Sequence, residues 1–427
     1  MEDLKLMLPP KTAVIELKQY QHYNFKTNEL EDMRLAATLI LPNAQNVILK
    51  DLGPVRKIKL LFNKLRTEQA QYDKLRAELK KINNKKDKKE IKKLLVQVQK
   101  SMKFHLQEFY TFLFGSLDEY IAQAETIYIS PDGLTHQIAF SRLILPDGQF
   151  WVQRQTLCRI QTSRDLLDPA KQNNKGTLVA MGGIDYNQFP GIAEKATPHR
   201  SGKHDLERSI KRTAEKIESF DSLPSSKKEI EYIKVPYLLS QQKTPLIFRD
   251  ASASENQLKN LKSPPHVLHL ATHGFYLEKS EDLTERPMLL SGLALAGCNL
   301  GLKGKKGPEN EDGLLYAIEV AGLDLSGTEL VVLSACDTGK GTIDYSEGVY
   351  GLLRAFRLAG AQNIVMTLWS LQDQSAKDFF TSFYKTWLSQ SNMTPSKALR
   401  QTQLSFIKQN KDSSLWAPYV MVVRNLQ

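Results

Sequence analysis

Two short blocks carry residue types suited to covalent chemistry. One is Thr272-His273-Gly274, where the apolar run "HVLHLA" ends; the other is Cys336-Asp337, where "LVVLSA" ends. A thiolate attacks a carbonyl carbon, while an imidazole takes the thiol proton and later returns it to a leaving amine. A cysteine and a histidine are therefore the minimum set for this kind of nucleophilic catalysis. The sequence separation leaves room for a strand-helix-strand excursion with a long loop. Gly274 and the turn Asp337-Thr338-Gly339 could offer unobstructed backbone N–H groups to an oxyanion. A helix close behind Cys336 would help lower the thiol pKa through its N-terminal dipole. Asp337 is no activator, because an adjacent carboxylate raises a thiol pKa; its place is the substrate pocket or the turn.

A cysteine at the end of a buried strand is commonly just a small hydrophobe, and Cys158 and Cys298 are read that way. His266 and His269, on the strand leading to His273, are read as packed or hydrogen-bonded. The three cysteines lie far apart, with no CxxC and no Cys-His spacing suited to zinc, so neither metal nor cofactor is expected. The opening "MEDLKLMLPPK" lacks an apolar export core, and no apolar run reaches the roughly 18 residues of a membrane helix. An odd cysteine count without an export signal points to a reducing cytoplasm.

The elements that must position the two blocks follow from hydrophobic rhythm. "HVLHLATHG" and "ELVVLSACDTG" are apolar on both faces, as buried parallel strands are. Around them stand the strands "GTLVAMGG", "PLIFRDAS" and "NIVMTLWS" and the helices "SSKKEIEYIKVPYLL", "EGVYGLLRAFRLAG" and "DQSAKDFFTSFYKTWL". That succession predicts a mainly parallel sheet covered by helices on both sides, with all strand carboxyl ends, and hence His273 and Cys336, on one edge. Ser225 or Ser226 is the expected cap of its helix, with Glu229 nearby. Upstream, residues 12–52 alternate like strands of a small sheet, and "TIYISPDGLTHQIAFSRLILPDGQFWV" has a strand-turn-strand grammar with Pro-Asp-Gly twice. Two stretches of low order, "YNQFPGIAEKATPHRSGKHDLERSIKRTAEK" and "CNLGLKGKKGPENEDG", read as surface loops.

The formal charge of +11 is concentrated in one place. Residues 55–103 hold 17 Lys+Arg against 5 Asp+Glu, which leaves the rest of the chain at −1. Leu and Ile recur there at helical spacing, predicting two amphipathic helices joined near Asn83-Asn84. The tip is either simply solvated or a docking surface for an acidic partner or nucleic acid. Few aromatics interleave the lysines, so specific base reading is not expected.

The chain as a whole resembles the CHAT domain, a bacterial branch of the caspase-like cysteine peptidases related to separase. "HLATHG" at 269–274 and "LSACDTG" at 333–339 carry the resemblance. "PMLLSGLALAG", "EDGLLYAIEVAGLDL", "EGVYGLLRAFRLAGAQNIVMTLWSLQD" and "LWAPYVMVV" extend it, as do upstream blocks back to "RLAATLIL". The resemblance spans about residues 12 to 424. It implies a caspase-like three-layer αβα fold with a mainly parallel sheet, preceded by N-terminal strands and the basic hairpin. The expected division is residues 1–120 for that N-terminal region and 121–427 for the peptidase core. Within the core, 121–250 would be a pseudo-protease part and 251–427 the catalytic part. Family members commonly carry tetratricopeptide repeats ahead of this domain; none is present in this sequence.

The resemblance further implies a cysteine endopeptidase with His273 as base and Cys336 as nucleophile. Some relatives act in bacterial defence and cut a partner such as a pore-forming gasdermin or an effector of a CRISPR system, so a protein substrate of that kind is expected here. An activating partner would dock on the basic hairpin. In separase-like relatives an acid at the position of Asp373 receives a P1 arginine, which predicts cleavage after Arg or Lys, with Asp337 and Glu347 as further acids of the pocket. Asp373 and Glu347 equally stand where a helix dipole welcomes a carboxylate. Two other functions remain open: a catalytically idle scaffold, and binding of a partner or nucleic acid through the hairpin.

Overall fold

A computed structural model describes residues 2–169, 176–191, 217–277, 287–337, 345–369 and 371–426, with the backbone alone at 287, 335–337 and 345–350. Strands are numbered in chain order; so are helices longer than ten residues. The chain forms two compact units, 1–167 and 168–427.

In the first unit β1 (Thr12–Asn24), β2 (Glu29–Ile40) and β3 (Ile48–Pro54) form an antiparallel meander, as the alternation of 12–52 predicts. β4 (Thr126–Ser130) and β5 (Thr156–Arg159) extend the sheet beyond β1, both parallel. This corrects the strand-turn-strand reading. At the first Pro-Asp-Gly, Asp132 caps a 3-10 turn instead of closing a hairpin. Only the second makes a tight turn, closing the isolated bridge between Ile144 and Phe150. Because β4 and β5 add to the sheet of β1, the compact unit runs to Leu167, whereas the sequence reading divides the chain at 120/121.

The basic hairpin is α1 (Val55–Lys81) and α2 (Lys85–Phe114), turning at residues 82–84, with the Asn84 side chain accepting from the Lys86 N–H at 3.0 Å. The outer part has its own small core of Tyr72, Leu75, Ile91, Val98 and Met102. The inner end of α2, from Leu106 to Phe114, joins the main core beneath the sheet with Trp151 and Phe140. Helical spacing sorts these faces, and apolar burial of about 1.5–3 kcal/mol per large side chain holds them.

The second unit is an α/β fold with a mostly parallel central sheet. β6 (Leu178–Ile184) pairs in parallel with β7 (Leu246–Asp250) on one side and with β8 (Val267–Tyr276) on the other. β8, β11 (Leu330–Asp337) and β12 (Asn363–Thr367) continue in parallel, and β13 (Tyr419–Val423) pairs antiparallel with β12. The short strands β9 (Ser291–Ala294) and β10 (Leu314–Tyr316) complete it beside the end of β8. The helices are α3 (Pro224–Gln241), α4 (Tyr345–Ala359), α5 (Asp373–Trp387) and α6 (Pro395–Lys408). α5 packs on both α3 and α6.

β8 is completely buried from Val267 to Phe275, and the described side chains of β11 from Leu330 to Ser334 are buried too. The doubly apolar strands therefore occupy the middle of the sheet, as their sequence requires. α3 starts differently from expectation. Pro224 takes the first helical position, and Ser226 Oγ donates to the Leu223 carbonyl while accepting from the Gly183 N–H. Glu229 turns into the core instead of back to the cap.

Candidate active site

The central ladder sets the position of both chemical blocks. β8 and β11 are neighbours in parallel, and their register pairs Ala335 with Thr272, Cys336 with His273 and Asp337 with Gly274. His273 is not a strand end, as the sequence suggests, but an interior residue of β8. From Gly274 the strand exchanges β6 for β9 as its second neighbour and runs on to Tyr276. Gly274 is thus paired on both edges, with Asp337 and with Leu293. The side chains of Cys336, Asp337 and Glu347, and all of Thr338 and Gly339, lie outside the described residues; Glu347 falls within α4.

The His273 imidazole is 2% exposed. Its Nε2–H donates to the main-chain oxygen of Asp221 at 2.7 Å. A carbonyl only accepts, so in the neutral ring Nδ1 is the unprotonated nitrogen. Phe220 stacks on the ring at 5.6 Å and 30°, and Tyr186 lies at 5.2 Å and 46°. Burial between these rings lowers the His273 pKa, opposed by the Asp221 carbonyl and the charge of Asp373. The imidazole is consequently neutral near pH 7, the form able to accept a proton. Tyr186 OH bonds Thr272 Oγ1 at 3.0 Å, and Thr272 Oγ1 in turn donates to the Ala294 carbonyl, fixing the wall behind the histidine.

Asp373 is half-buried at the first position of α5, and its carboxylate accepts from the main-chain N–H of Ser225 in the first turn of α3. The helix-terminus reading of this acid is therefore observed, and its charge also reaches His273.

His266, His269, Cys158 and Cys298 behave as structural groups. His266 bonds Tyr237 OH at 2.9 Å and Glu329 at 2.6 Å. His269 is fully buried between Glu229 Oε1 at 2.7 Å and Tyr384 OH at 3.2 Å. Cys158 and Cys298 are buried thiols, and burial pushes the Cys298 thiol well above its ordinary range. Sequence reasoning did not find Asp221, Phe220, Tyr186 or Asn299. The first contributes only its main chain, and the others lie in stretches without periodicity.

The sequence pattern of the CHAT domain matches residues 104–424. The chain belongs to the CHAT domain family. Among solved structures, the CHAT chain is similar to the Saccharomyces cerevisiae separase–securin complex in two crystal structures. Each match covers 99% of this chain and 30% of that chain at 9% identity, with TM-scores of 0.52 and 0.50. At that identity the likeness is one of fold, and it bears out the caspase-like expectation. Among curated sequences, the mouse and human tetratricopeptide repeat protein 28 are 31% and 30% identical over 117 residues, 27% of this chain. The CHAT chain matches about 5% of the length of those relatives. Among the described residues there is no group of three or more His, Cys, Asp or Glu placed to hold a metal ion, and no helix is long and apolar enough to cross a membrane.

Proposed function

We propose that this CHAT domain is a cysteine endopeptidase in which Cys336 is the nucleophile and His273 the base. The observation that carries the reading is the register of β8 and β11, which pairs Cys336 with His273. Residues paired across a ladder share a face of the sheet. The orientation of His273 adds support: with Nε2 given to the Asp221 carbonyl, Nδ1 is the nitrogen that accepts the thiol proton. The thiolate sulfur bonds to the scissile carbonyl carbon and its π electrons move to oxygen. The tetrahedral intermediate collapses as the imidazolium returns the proton to the departing amine, leaving a thioester that water hydrolyses by the same relay. Backbone N–H groups at this edge would stabilise the oxyanion; Gly274, expected from the sequence as a donor, is paired on both edges and offers no free N–H in this arrangement.

The substrate is a protein partner, of the gasdermin-like or CRISPR-associated kind suggested by the family, acting in cytoplasmic bacterial defence. Asp373 favours Arg or Lys at P1: a carboxylate has about four lone-pair sites, so accepting from Ser225 leaves capacity for a guanidinium. The experiment incubates wild type and Cys336→Ala with products of neighbouring genes and reads new N-termini by mass spectrometry. New termini after Arg or Lys with the wild type alone support the proposal. Termini formed equally by both proteins overturn the catalytic assignment. An apolar or acidic P1 overturns the role of Asp373 alone.

A further inference from the structure

We infer that Asn299 is a positioning residue for His273, holding by its carboxamide the segment whose main-chain oxygen orients the imidazole. The consequence for catalysis rests on the proposed Cys-His reaction; the orientation itself does not.

The segment 217–223 has no regular secondary structure, so neither a ladder nor a helix holds Asp221 in place. Asn299 substitutes for one. The Phe220 N–H donates to Asn299 Oδ1 at 2.8 Å, and Asn299 Nδ2 donates back to the Phe220 carbonyl at 3.0 Å. One carboxamide thereby satisfies both polar groups of one residue, as a neighbouring strand would. Nδ2 also donates to Asn187 Oδ1 at 3.0 Å. Asn299 is 5% exposed, so water competes little for these bonds. Its own main-chain N–H donates to the Tyr186 carbonyl at 2.9 Å.

A single residue thus ties together Phe220 and Tyr186, the two rings that flank the His273 imidazole, and Asp221 is the next residue along. Asn299 is itself held in a short helix, Cys298–Gly301, entered through Gly297 at φ 80°. A Cβ at Gly297 would meet the Phe189 ring at 2.2 Å, so this tight entry admits glycine alone. Aspartate at 299 would keep the acceptor for the Phe220 N–H but turn an oxygen toward the Phe220 carbonyl. Since a shift of about 1 Å at a reacting group costs on the order of 100-fold in rate, this clamp has a chemical consequence.

The test uses full-length protein with 15N-labelled histidine, in the wild type, Asn299→Ala, Asn299→Asp and Asn187→Ala, with His273→Gln assigning the resonance. At pH 8 the wild type and Asn187→Ala, a change at an exposed residue, should show His273 in the single Nε2–H tautomer. Asn299→Ala and Asn299→Asp should move its two nitrogen shifts toward tautomer averaging. The rate of Cys336 alkylation by iodoacetamide, read by peptide mass, should fall about 10- to 100-fold in both. If Asn299→Ala fails to fold, the isosteric aspartate variant decides alone. A pure Nε2–H tautomer in the Asn299 variants overturns the inference. If wild type and His273→Gln alkylate equally fast, the proposed reaction fails, and the tautomer measurement still decides the role of Asn299.

Discussion

His269 and His273 lie on one face of one strand, four residues apart, and both are buried, at 0% and 2% exposure. Their surroundings differ in how the ring nitrogens are claimed. His269 gives both, one to Glu229 and one to Tyr384, so its proton has nowhere to go without breaking a buried pair. His273 gives Nε2 to a main-chain carbonyl, and among the described residues Nδ1 has no hydrogen-bond partner. A carbonyl fixes the ring without charging it. That suits a thiol, whose ordinary pKa lies only about two units above that of imidazole. Burial therefore does not separate the two histidines; the accounting of their ring nitrogens does, and it is what suits His273 to the proposed role of base.

The largest effect that could break this contrast is on turnover. His273→Gln should lower cleavage about 10³- to 10⁴-fold, with little change in melting temperature. His269→Ala should do the opposite. It leaves the fully buried Glu229 carboxylate, whose Oε2 already has no partner, without its other contact. The cost is about 3–5 kcal/mol, or a melting temperature lower by about 10 °C, with cleavage per folded molecule unchanged. A His269→Ala protein that folds normally but no longer cleaves would erase the distinction.

Next in size is substrate choice. Asp373→Asn should reduce kcat/KM for Arg peptides by at least about tenfold, measured against a matched apolar P1 series. Equal losses in both series would return Asp373 to a purely helix-terminal role.

The pH dependence sharpens the comparison further. His273 has a folded pKa below its ordinary 6.5, burial being the main cause. The base therefore stays neutral below the usual histidine range, and the acid limb of kcat/KM should fall under pH 6.5. By linkage, stability from this group is present above the unfolded pKa and is lost as pH falls through the folded one. Asp373→Asn removes a charge that raises the His273 pKa and should move the limb to still lower pH. A limb at or above 6.5 would mean that the imidazole is not desolvated.

The smallest effect lies far from the dyad. Residues 80–93 hold eight lysines against Asp87 and Glu90, and among the described residues none of those lysine side chains forms an ion pair. Reversing Lys85, Lys86, Lys88 and Lys89 to Glu should leave peptide cleavage within about twofold, since exposed charges are screened beyond about 10 Å at 0.1 M salt. The same variant should lose salt-sensitive binding of a labelled oligonucleotide or acidic peptide. A wild-type protein that binds neither would leave the tip a solvated turn.

Much of this arrangement was legible in the sequence. The doubly apolar runs of β8 and β11 announce central parallel strands, and the Leu/Ile spacing of 55–103 announces the hairpin, because burial imposes those periods. The sequence places His273 and Cys336 on one edge of the sheet, whereas the adjacency and register that pair them are a long-range choice seen in the structure. Less was legible where main-chain geometry decides. Gly274 interrupts the apolar run, so the extension of β8 to Tyr276 could not be read without its partner β9. Glu229 sits at a position that resembles a helix cap, and only packing against His269 turns it inward. Asp221 acts through an oxygen that every residue possesses, and Asn299 through a carboxamide in a stretch with no periodicity. The parallel pairing of β4 with β1, and of β5 with β4, is a long-range choice that Pro-Asp-Gly signals misrepresent.

The most direct measurement of the central claim is the pH profile of iodoacetamide alkylation at Cys336, followed by peptide mass in the wild type, His273→Gln and His269→Gln. The account predicts a thiolate formed well below the ordinary cysteine range in the wild type, the same profile in His269→Gln, and an ordinary thiol in His273→Gln. A profile that does not change on replacing His273, or that changes equally on replacing His269, would contradict it.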